Sequence, residues 1–315
     1  MPKILTLTLN PALDVASSVA TIVPGPKLRC AEPRYDPGGG GVNVARAILR
    51  LEGRAKAFVA LGGEIGHMSL AMLEAEGIDL IHFAVSGNTR QSFAILETSS
   101  KKQYRFQLPG PAWADEQTAE MLVQLPPHLK RGGIVVMSGS LPPGMQADIA
   151  STINGMAIEA GAQLILDTSG RALAEAAANS GPPFALLRMD GAEATEVSGR
   201  SFASPAELAD YGRELIASGA AERLVMSIGA KGTVGVTADE RFFCQPPKIE
   251  TLSAVGAGDS MVAAIAMQLA AGESFRNAVR HGVAAAGSAV LTPATELCSK
   301  QTADEILEKV VTSGI

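Results

Sequence analysis

The stretch 251–260, Thr-Leu-Ser-Ala-Val-Gly-Ala-Gly-Asp-Ser, places a tight glycine turn and a carboxylate at the start of an apolar, helix-compatible run. Small side chains at Gly256, Ala257 and Gly258 leave backbone N–H groups uncovered, and the first amides of a helix lack partners and favour an anion. Asp259 adds a carboxylate at the same place. Such a group beside an anion hole suits a base that deprotonates a hydroxyl while a phosphoryl group is held nearby. The simpler interpretation is an ordinary helix start, with Gly for the turn and Asp or Ser as the cap.

A second glycine-rich stretch, Gly-Gly-Gly-Gly-Val-Asn-Val-Ala-Arg over 38–46, opens another predicted helix. It follows Asp-Pro and lacks the third spaced glycine, so it is not a nicotinamide-binding fingerprint. A flexible turn is one interpretation. The other is a backbone at Gly39 and Gly40 that must approach a ligand closely, which a Cβ atom would prevent. Asn43 on the first helical turn could then hydrogen-bond a hydroxyl.

Further polar side chains are predicted around the same ligand. Asp14 lies just past the end of the first predicted strand, and ligands of open α/β sheets bind beyond the carboxyl ends of strands. On its own it is more simply a turn residue. Four cations, Lys27, Arg29, Arg90 and Arg105, fall in two irregular β-rich segments. A single one is most simply a solvated surface charge, but together they suit a phosphate clamp in an acidic protein.

Composition excludes several function classes. The net charge of −6 over 315 residues argues against a nucleic-acid partner. The three cysteines are far apart and form no C-x-x-C, so the sequence predicts a reducing compartment and neither a disulfide framework nor a structural zinc site. Neither a signal-peptide core nor an uncharged apolar stretch of about 18 residues is present. We therefore expect a soluble cytoplasmic protein without a membrane partner.

Predicted strands and helices alternate along most of the chain, which indicates an α/β fold with a mainly parallel sheet covered by helices on both faces. We expect a single domain over 1–315. Segments 12–35 and 88–110 interrupt the alternation and are interpreted as one β-rich lid, the second containing a hairpin of 92–96 and 103–108. The predicted strands are 3–9, 57–61, 80–84, 134–137, 163–166, 184–187 and 223–227, with β-like pieces at 233–236 and 241–244. The first helix is opened by the glycine run 37–41 and ends near Gly53, and the others are 68–76, 149–159, 172–178, 205–217, 260–271, 275–290 and 303–311.

Taken together, the two glycine-rich stretches resemble the N-terminal and C-terminal signatures of the ribokinase-like (PfkB) carbohydrate kinases, and the resemblance spans essentially the full chain. It implies a Rossmann-type ribokinase-like fold in which Asp259 is the catalytic base and the amides of Gly256, Ala257 and Gly258 stabilise the transferring phosphoryl group. The resemblance also implies the sugar side of the site, in which Asp14, Gly39, Gly40 and Asn43 line the sugar pocket, Lys27 and Arg90, with Arg105, hold the sugar phosphate, and Ser140 contacts substrate from the loop 138–144.

The nucleotide side is also implied by resemblance, since the chain has no P-loop motif. The segment Ser-Ile-Gly-Ala-Lys-Gly over 227–232 resembles the ATP-binding loop of the family, and Val283 corresponds to the adenine pocket. The family also carries an Asn-x-x-Glu motif after a Lys-Pro pair, which organises Mg²⁺ and the phosphates. Here Glu193 matches, Asp190 replaces the Asn, and Arg188-Met189 replaces Lys-Pro, so this segment bears on nucleotide affinity. The implied nucleotide-side residues are Arg188, Asp190, Glu193, Ser227, Gly229, Gly232 and Val283, with Asp190 and Glu193 serving Mg²⁺ through water.

Within the family, four consecutive glycines together with segments 27–30, 90–91 and 103–106 are most similar to the minor (type 2) 6-phosphofructokinases. That resemblance implies transfer of the ATP γ-phosphoryl group to the C1 hydroxyl of fructose 6-phosphate. A related phosphosugar, tagatose 6-phosphate or fructose 1-phosphate, and a non-catalytic sugar-phosphate or nucleotide sensor stay open as alternatives. The resemblance further suggests a homodimer formed through the lid, a second inhibitory ATP, and a potassium ion near Ser253 and Val255.

Overall fold

The computed structural model describes residues 3–179, 181–293 and 296–315. Its strands form one large and one small sheet, and their order along the chain is that of an alternating α/β protein. The strands are Ile4–Thr8 (β1), Ala12–Val19 (β2), Arg34–Gly38 (β3), Lys56–Leu61 (β4), Asp79–Ala84 (β5), Arg90–Glu97 (β6), Lys102–Gln107 (β7), Ile134–Ser138 (β8), Gln163–Asp167 (β9), Leu186–Asp190 (β10), Leu224–Ser227 (β11), Thr233–Val236 (β12), Arg241–Gln245 (β13) and Val311–Gly314 (β14).

Most of the helices lie between strands of the parallel part of the sheet, where a neighbour can be reached only through a long crossover. Their bounds are Gly40–Arg50 (α1), Gly63–Ala75 (α2), Asp115–Gln124 (α3), Ile149–Glu159 (α4), Gly170–Ala177 (α5), Gly191–Ser198 (α6), Pro205–Ala217 (α7), Ala257–Ala270 (α8), Phe275–Ala289 (α9) and Lys300–Leu307 (α10).

The large sheet runs in the order β14-β13-β12-β11-β10-β9-β8-β1-β4-β5. Strands from β11 to β5 are parallel, and β12, β13 and β14 extend the sheet antiparallel at one edge. Its central strands are buried on both faces. In β8, Val135 and Met137 join the apolar core on the side of α4, whereas Ile134 and Val136 join the core on the side of α1, α8 and α9. The predicted sheet with helices on both faces is therefore confirmed.

A small sheet in the order β3-β2-β6-β7 stands apart from the large one. Its strands β2 and β6 pair in parallel, and the flanking pairs are antiparallel. The register places Asp14 opposite Ser92 and Ser92 opposite Gln107, so these three side chains share one face. Three of its four strands, β2, β6 and β7, lie within segments 12–35 and 88–110, and the fourth, β3, spans the end of the first segment.

The structure differs from the predicted elements in several places, and α2 begins five residues before the predicted start at 68. The helix predicted over 303–311 is confirmed in its first part only, because α10 spans Lys300–Leu307 and β14 begins at Val311 on the edge of the sheet. Helices α3 and α6 were not predicted, since each buries one residue, Met121 and Ala194, and so lacks an apolar stripe. The helix expected from 260 begins earlier, at Ala257. Within the described chain, none of the helices combines the length and apolar character needed to cross a membrane.

Candidate active site

The start of α8 lies against the start of α1, because the two helices pack side by side on the same face of the large sheet. Gly256 has a φ of 77°, a left-handed conformation that favours glycine, and it turns the chain into α8. Asp259 therefore sits in the first helical turn. From the first turn of α1, Asn43 Nδ2 donates a hydrogen bond to Asp259 Oδ2 at 3.0 Å. The two glycine-rich stretches of the sequence thus meet at one amide–carboxylate contact.

The environment of Asp259 disfavours its charged form. Burial raises the pKa of its carboxyl group from 3.8 to about 7, and the nearby charges of Asp167 and Asp14 act in the same direction. The hydrogen bond from Asn43 and the positive charge of Arg188 oppose the rise without cancelling it. A carboxylate with this acidity can accept a proton near neutral pH, which is what a general base requires.

The glycines before Asn43 allow three backbone segments to converge. A Cβ atom added at Gly40 would lie 2.5 Å from the backbone nitrogen of Gly139 and would overlap the hydroxyl of Ser138. A Cβ atom at Gly38 would lie 2.8 Å from Cγ of Asp14. The loop before α1 therefore contacts both the end of β8 and the carboxylate of Asp14, as a closely approaching backbone would.

One side of the site is a small cavity between the small sheet and the loop before α8. Asp14 and Arg105 line it together with Ser92, Gln107 and Val255. Burial raises the pKa of Asp14 to about 6, although the charges of Arg90 and Arg105 act to lower it. The cavity measures about 30 Å³, which is room for little more than a water molecule.

The sequence-predicted cations do not all reach this cavity. Arg90 is half-buried, and its Nη2 atom donates to the backbone oxygen of Asn10 at 3.3 Å. Lys27 and Arg29 are exposed in the loop between β2 and β3 and do not line this cavity. Ser140 is exposed and accepts a hydrogen bond from Asn10 Nδ2 at 3.1 Å. The structure thus brings Arg90 and Arg105 close to the carboxyl group of Asp14 and leaves Lys27 apart.

The other side of the site is a cavity of about 900 Å³. It reaches the first turn of α8, because Ala257 and Gly258 line it. Its far wall is apolar, with Val283, Ile249 and Val290 among the lining side chains. Of the residues predicted for the nucleotide side, those lining the cavity are Arg188, Asp190, Ser227, Gly229, Gly232 and Val283, whereas Glu193 is not among the lining residues.

Asp190 and Glu193 form the N-terminal cap of α6. Asp190 Oδ1 accepts hydrogen bonds from the amides of Ala192 and Glu193 at 2.9 Å each, and Glu193 Oε2 accepts one from the Asp190 amide at 2.7 Å. Burial raises the pKa of Glu193, although that last bond acts to lower it. One oxygen of each carboxylate stays outside these bonds. The donor set therefore fits a hydrated Mg²⁺, which prefers oxygen ligands and keeps several waters.

Groups that could hold a metal ion by themselves are not found among the described residues, since no cluster of three or more His, Cys, Asp or Glu side chains occurs there. A magnesium ion at Asp190 and Glu193 would thus depend on water and on the phosphates of a nucleotide. Ser253 and Val255 lie in the loop before Gly256, where the Val255 amide donates to Ser253 Oγ at 3.2 Å. The hydroxyl oxygen of this serine and the peptide carbonyl oxygens of this loop are of the kind that coordinates a cation.

Two polar side chains near the site were not selected from the sequence. Asp167 ends β9 and is only 8% exposed; it accepts hydrogen bonds from Ser138 Oγ at 2.9 Å and from Arg188 Nη1 at 3.1 Å. Ser138 ends the neighbouring β8. The rule that ligands bind beyond the carboxyl ends of parallel strands could have found both residues, but each reads in the sequence as the polar end of an apolar strand.

Comparison with known proteins gives a consistent result. A family model described as pfkB family carbohydrate kinase matches residues 9–302. The chain is 38% identical to the ATP-dependent 6-phosphofructokinase isozyme 2 of Mycobacterium tuberculosis (strain ATCC 25618 / H37Rv), over 98% of this chain and 89% of that protein. It is 37% identical to the protein of the same name from Escherichia coli (strain K12), over 97% and 98%, and 33% identical to a 1-phosphofructokinase of Bacillus subtilis (strain 168), over 90% and 93%.

Solved structures of Escherichia coli phosphofructokinase-2 share this fold, each at 36% identity over 98% of this chain and 99% of that chain. The TM-score is 0.92 for the complex with potassium, 0.90 for the complex with fructose-6-phosphate and 0.91 for the tetrameric inhibited form.

Proposed function

The chain belongs to the pfkB family of carbohydrate kinases, and on that basis we propose that it is an ATP-dependent phosphofructokinase. The proposed reaction transfers the γ-phosphoryl group of ATP to the C1 hydroxyl of fructose 6-phosphate. The observation that carries the proposal is the position of Asp259, at the contact between α1 and α8, with a nucleotide-sized cavity reaching its helical turn. The relatives named 6-phosphofructokinase and the Escherichia coli complex with fructose-6-phosphate support the choice of sugar.

Different groups at the contact between α1 and α8 perform separate parts of the proposed phosphoryl transfer. Asp259 takes the proton of the C1 hydroxyl as the oxygen attacks, and Asn43 holds the carboxylate in place from the opposite helix. The first amides of α8 face the phosphoryl group and offset its developing charge. Phosphoryl transfer involves little covalent chemistry by the protein, so the positioning of the reactants and the stabilisation of charge account for most of the rate acceleration.

A magnesium ion would be held by Asp190 and Glu193 through water, and when bound it would neutralise charge on the phosphates. The potassium complex of the Escherichia coli enzyme supports a second cation in the loop before Gly256, near Ser253 and Val255. Activity measured in potassium and in tetramethylammonium buffers at equal ionic strength tests this second cation. Equal rates in the two buffers would exclude a required potassium site.

The cavity beside Asp14 must open before a sugar phosphate can bind there. Its volume of about 30 Å³ is far too small for a hexose phosphate, so the lid, residues 12–35 and 88–110, has to swing away and close over the substrate. Closure would bring the exposed Lys27 toward the phosphate that Arg90 and Arg105 bind. A closed lid also excludes the water that would otherwise hydrolyse ATP.

Arg90→Ala should raise the KM for fructose 6-phosphate by about 10- to 100-fold, because a charge-assisted hydrogen bond contributes ~1.5–3 kcal/mol. Since the bond is present before and during transfer, kcat should change little. Steady-state kinetics with the sugar varied at saturating MgATP measures both constants. Arg213→Ala is the matched control, because Arg213 is exposed on α7 and lines neither cavity. A fall in kcat alone would count against a binding role for Arg90.

The pH dependence should follow Asp259. Its pKa is raised to about 7, and only the deprotonated form accepts a proton, so kcat/KM should fall about tenfold for each pH unit below about 7. Burial raises the pKa of Asp14 to about 6, so protonation of this carboxylate adds to the acidic limb. Asp14→Asn removes that contribution, and the limb near 7 should persist in this variant at its reduced activity. An acidic limb near 4 in both proteins would contradict the assignment of Asp259 as the base.

A panel of phosphosugars tests the substrate directly. ADP release with MgATP should be fastest, by kcat/KM, with fructose 6-phosphate. The Bacillus subtilis relative named 1-phosphofructokinase makes fructose 1-phosphate the principal alternative, and tagatose 6-phosphate completes the panel. ADP release with none of the three sugars, combined with tight binding of nucleotide, would identify a sensor instead of a kinase.

We further propose that the outer face of the small sheet mediates dimerisation. Tyr35, Val15, Phe93 and Phe106 are neighbours in register across that face, and Tyr35 and Phe106 are 40% and 53% exposed. The exposed aromatic rings of Tyr35 and Phe106 at the two ends of this row favour association, whereas Val15 between them is buried. The Escherichia coli enzyme has a tetrameric inhibited form, so the mass of this chain in solution with and without MgATP distinguishes a dimer from a tetramer.

A further inference from the structure

Three polar side chains cross the large sheet in one row below the candidate active site. Ser138, Asp167 and Arg188 are partners in register on the adjacent strands β8, β9 and β10, so their side chains point to the same face. Asp167 is the middle member and accepts from both neighbours, at 2.9 Å from Ser138 Oγ and 3.1 Å from Arg188 Nη1. We call Ser138, Asp167 and Arg188 the polar row.

Each end of the polar row contacts the start of one of the two site helices. At one end, a Cβ atom on Gly40 of α1 would overlap the Ser138 hydroxyl. At the other end, a Cβ atom on Gly258 of α8 would lie 3.1 Å from Arg188 Nη2 and 3.4 Å from its Cζ atom. The row therefore spans the distance between the helical turns that carry Asn43 and Asp259.

The ion pair in the row is largely removed from solvent. The side chains of Asp167 and Arg188 are 11% and 14% exposed. Burial acts to lower the pKa of Arg188, but the negative charges of Asp167, Glu193 and Asp190 raise it overall. An ion pair this buried costs desolvation energy that its own attraction barely offsets, so its retention at the site needs a further reason.

Only part of the guanidinium group of Arg188 is used by Asp167. Nη1 makes the ion pair, Nη2 faces Gly258, and Nε is buried without a hydrogen-bond partner in the described chain. Arg188 also lines the nucleotide-sized cavity. An arginine held by one nitrogen presents its remaining donors in a fixed direction, which suits a phosphoryl group arriving at the turn of α8.

We propose that Asp167 is a positioning residue for phosphoryl transfer: it fixes Arg188 beneath the first turn of α8 and, through Ser138, ties the start of α1 to the same carboxylate. The inference rests on the proposed kinase function. It assigns to Asp167 no contact with substrate; its role is to keep the base, the anion hole and the sugar-side glycine loop in register.

The same pair also acts electrostatically on Asp259. Four groups facing that carboxyl group affect its pKa, with Asp167 and Asp14 raising it and Asn43 and Arg188 lowering it. Removing the charge of Asp167 should therefore make Asp259 more acidic, and removing the charge of Arg188 should make it less acidic. A role limited to holding the fold together would not produce two shifts of opposite sign.

The test is the pH profile of kcat/KM for fructose 6-phosphate in Asp167→Asn and Arg188→Gln. Asp167→Asn keeps the size of the side chain and should move the acidic limb to lower pH by about 0.5 unit or more, whereas Arg188→Gln should move it upward by a similar amount. Both variants should lose about 10- to 100-fold in kcat, because the guanidinium group is no longer held or no longer present. Glu214→Gln removes a charge from the exposed pair with Arg200 and is the matched control.

Limbs that stay in place, or that move in the same direction in both variants, would overturn the proposal, as would an unchanged kcat in Asp167→Asn. Melting curves with and without MgATP check that each variant folds. If Asp167→Asn does not fold, the direction of the shift in Arg188→Gln still decides. A wild-type protein that releases no ADP with any phosphosugar would refute the proposed function instead, so the two failures are distinguishable.

Discussion

Asp259→Asn should lower kcat by about 10²- to 10⁴-fold, the contribution typical of a positioned general base. The amide is nearly the same size as the carboxylate and can still accept a hydrogen bond from Asn43, so the site should keep its shape. Binding of fructose 6-phosphate should therefore persist. Single-turnover kinetics with saturating MgATP measures the loss in the transfer step, and calorimetric titration measures sugar binding.

The same variant should be more stable than the wild type at alkaline pH. The folded-state pKa of Asp259 lies above its ordinary value, so the charged form disfavours folding, and stability declines as the pH rises from 3.8 to about 7. That difference corresponds to ~4 kcal/mol at about 1.36 kcal/mol per pH unit, which solvent contact at the half-buried side chain reduces to ~2 kcal/mol. Urea unfolding at pH 4 and pH 8 measures it. A variant with wild-type turnover, or one destabilised at pH 8, would contradict the assignment.

Gly40→Ala should lower activity by more than about 10²-fold and destabilise the protein by about 1–3 kcal/mol, the range for overpacking. The added Cβ atom would lie 2.5 Å from the Gly139 nitrogen, and the backbone of Ser138 and Gly139 cannot give way as a flexible side chain would. The first turn of α1 must then move, and Asn43 moves with it. A displacement of about 1 Å at a reacting centre is enough to cost about 100-fold in rate.

Gly155→Ala is the matched control for that substitution. Gly155 lies inside α4, and a Cβ atom there would have no neighbour within 4 Å. Since alanine is favoured over glycine in a helix interior, the control should gain about 0.5–1 kcal/mol and keep full activity. Thermal unfolding and initial rates of both variants provide the comparison. If Gly40→Ala retained the rate of the control, close approach of the α1 turn to β8 would not matter for catalysis.

The sequence revealed those parts of the site in which the backbone conformation requires a particular type of residue. Glycine is needed at Gly40 because a Cβ atom would overlap the neighbouring backbone, and it is favoured at Gly256 because the backbone there is left-handed. The glycine runs therefore mark the starts of both helices. The large sheet was predictable for a similar reason, since strands buried on both faces are continuously apolar.

The parts that the sequence did not reveal depend on distances across the fold. Asn43 and Asp259 are 216 positions apart, and nothing local indicates that they share a hydrogen bond. Asp167 has the same difficulty, because its two partners come from neighbouring strands. The edge strand β14 is not indicated by the sequence, because its four residues have no alternating apolar pattern and are held by pairing with β13.

The two cavities draw on different halves of the chain. The larger one is built from residues between Arg188 and Val290, whereas the smaller one is built from residues between Asp14 and Gln107, with Val255 as the exception. A single crossover between β8 and β10 would thus exchange one half-site between related genes and leave the other whole. Recombination within this family can therefore combine the sugar preference of one enzyme with the nucleotide preference of another, provided that the packing of α1 on α8 is kept.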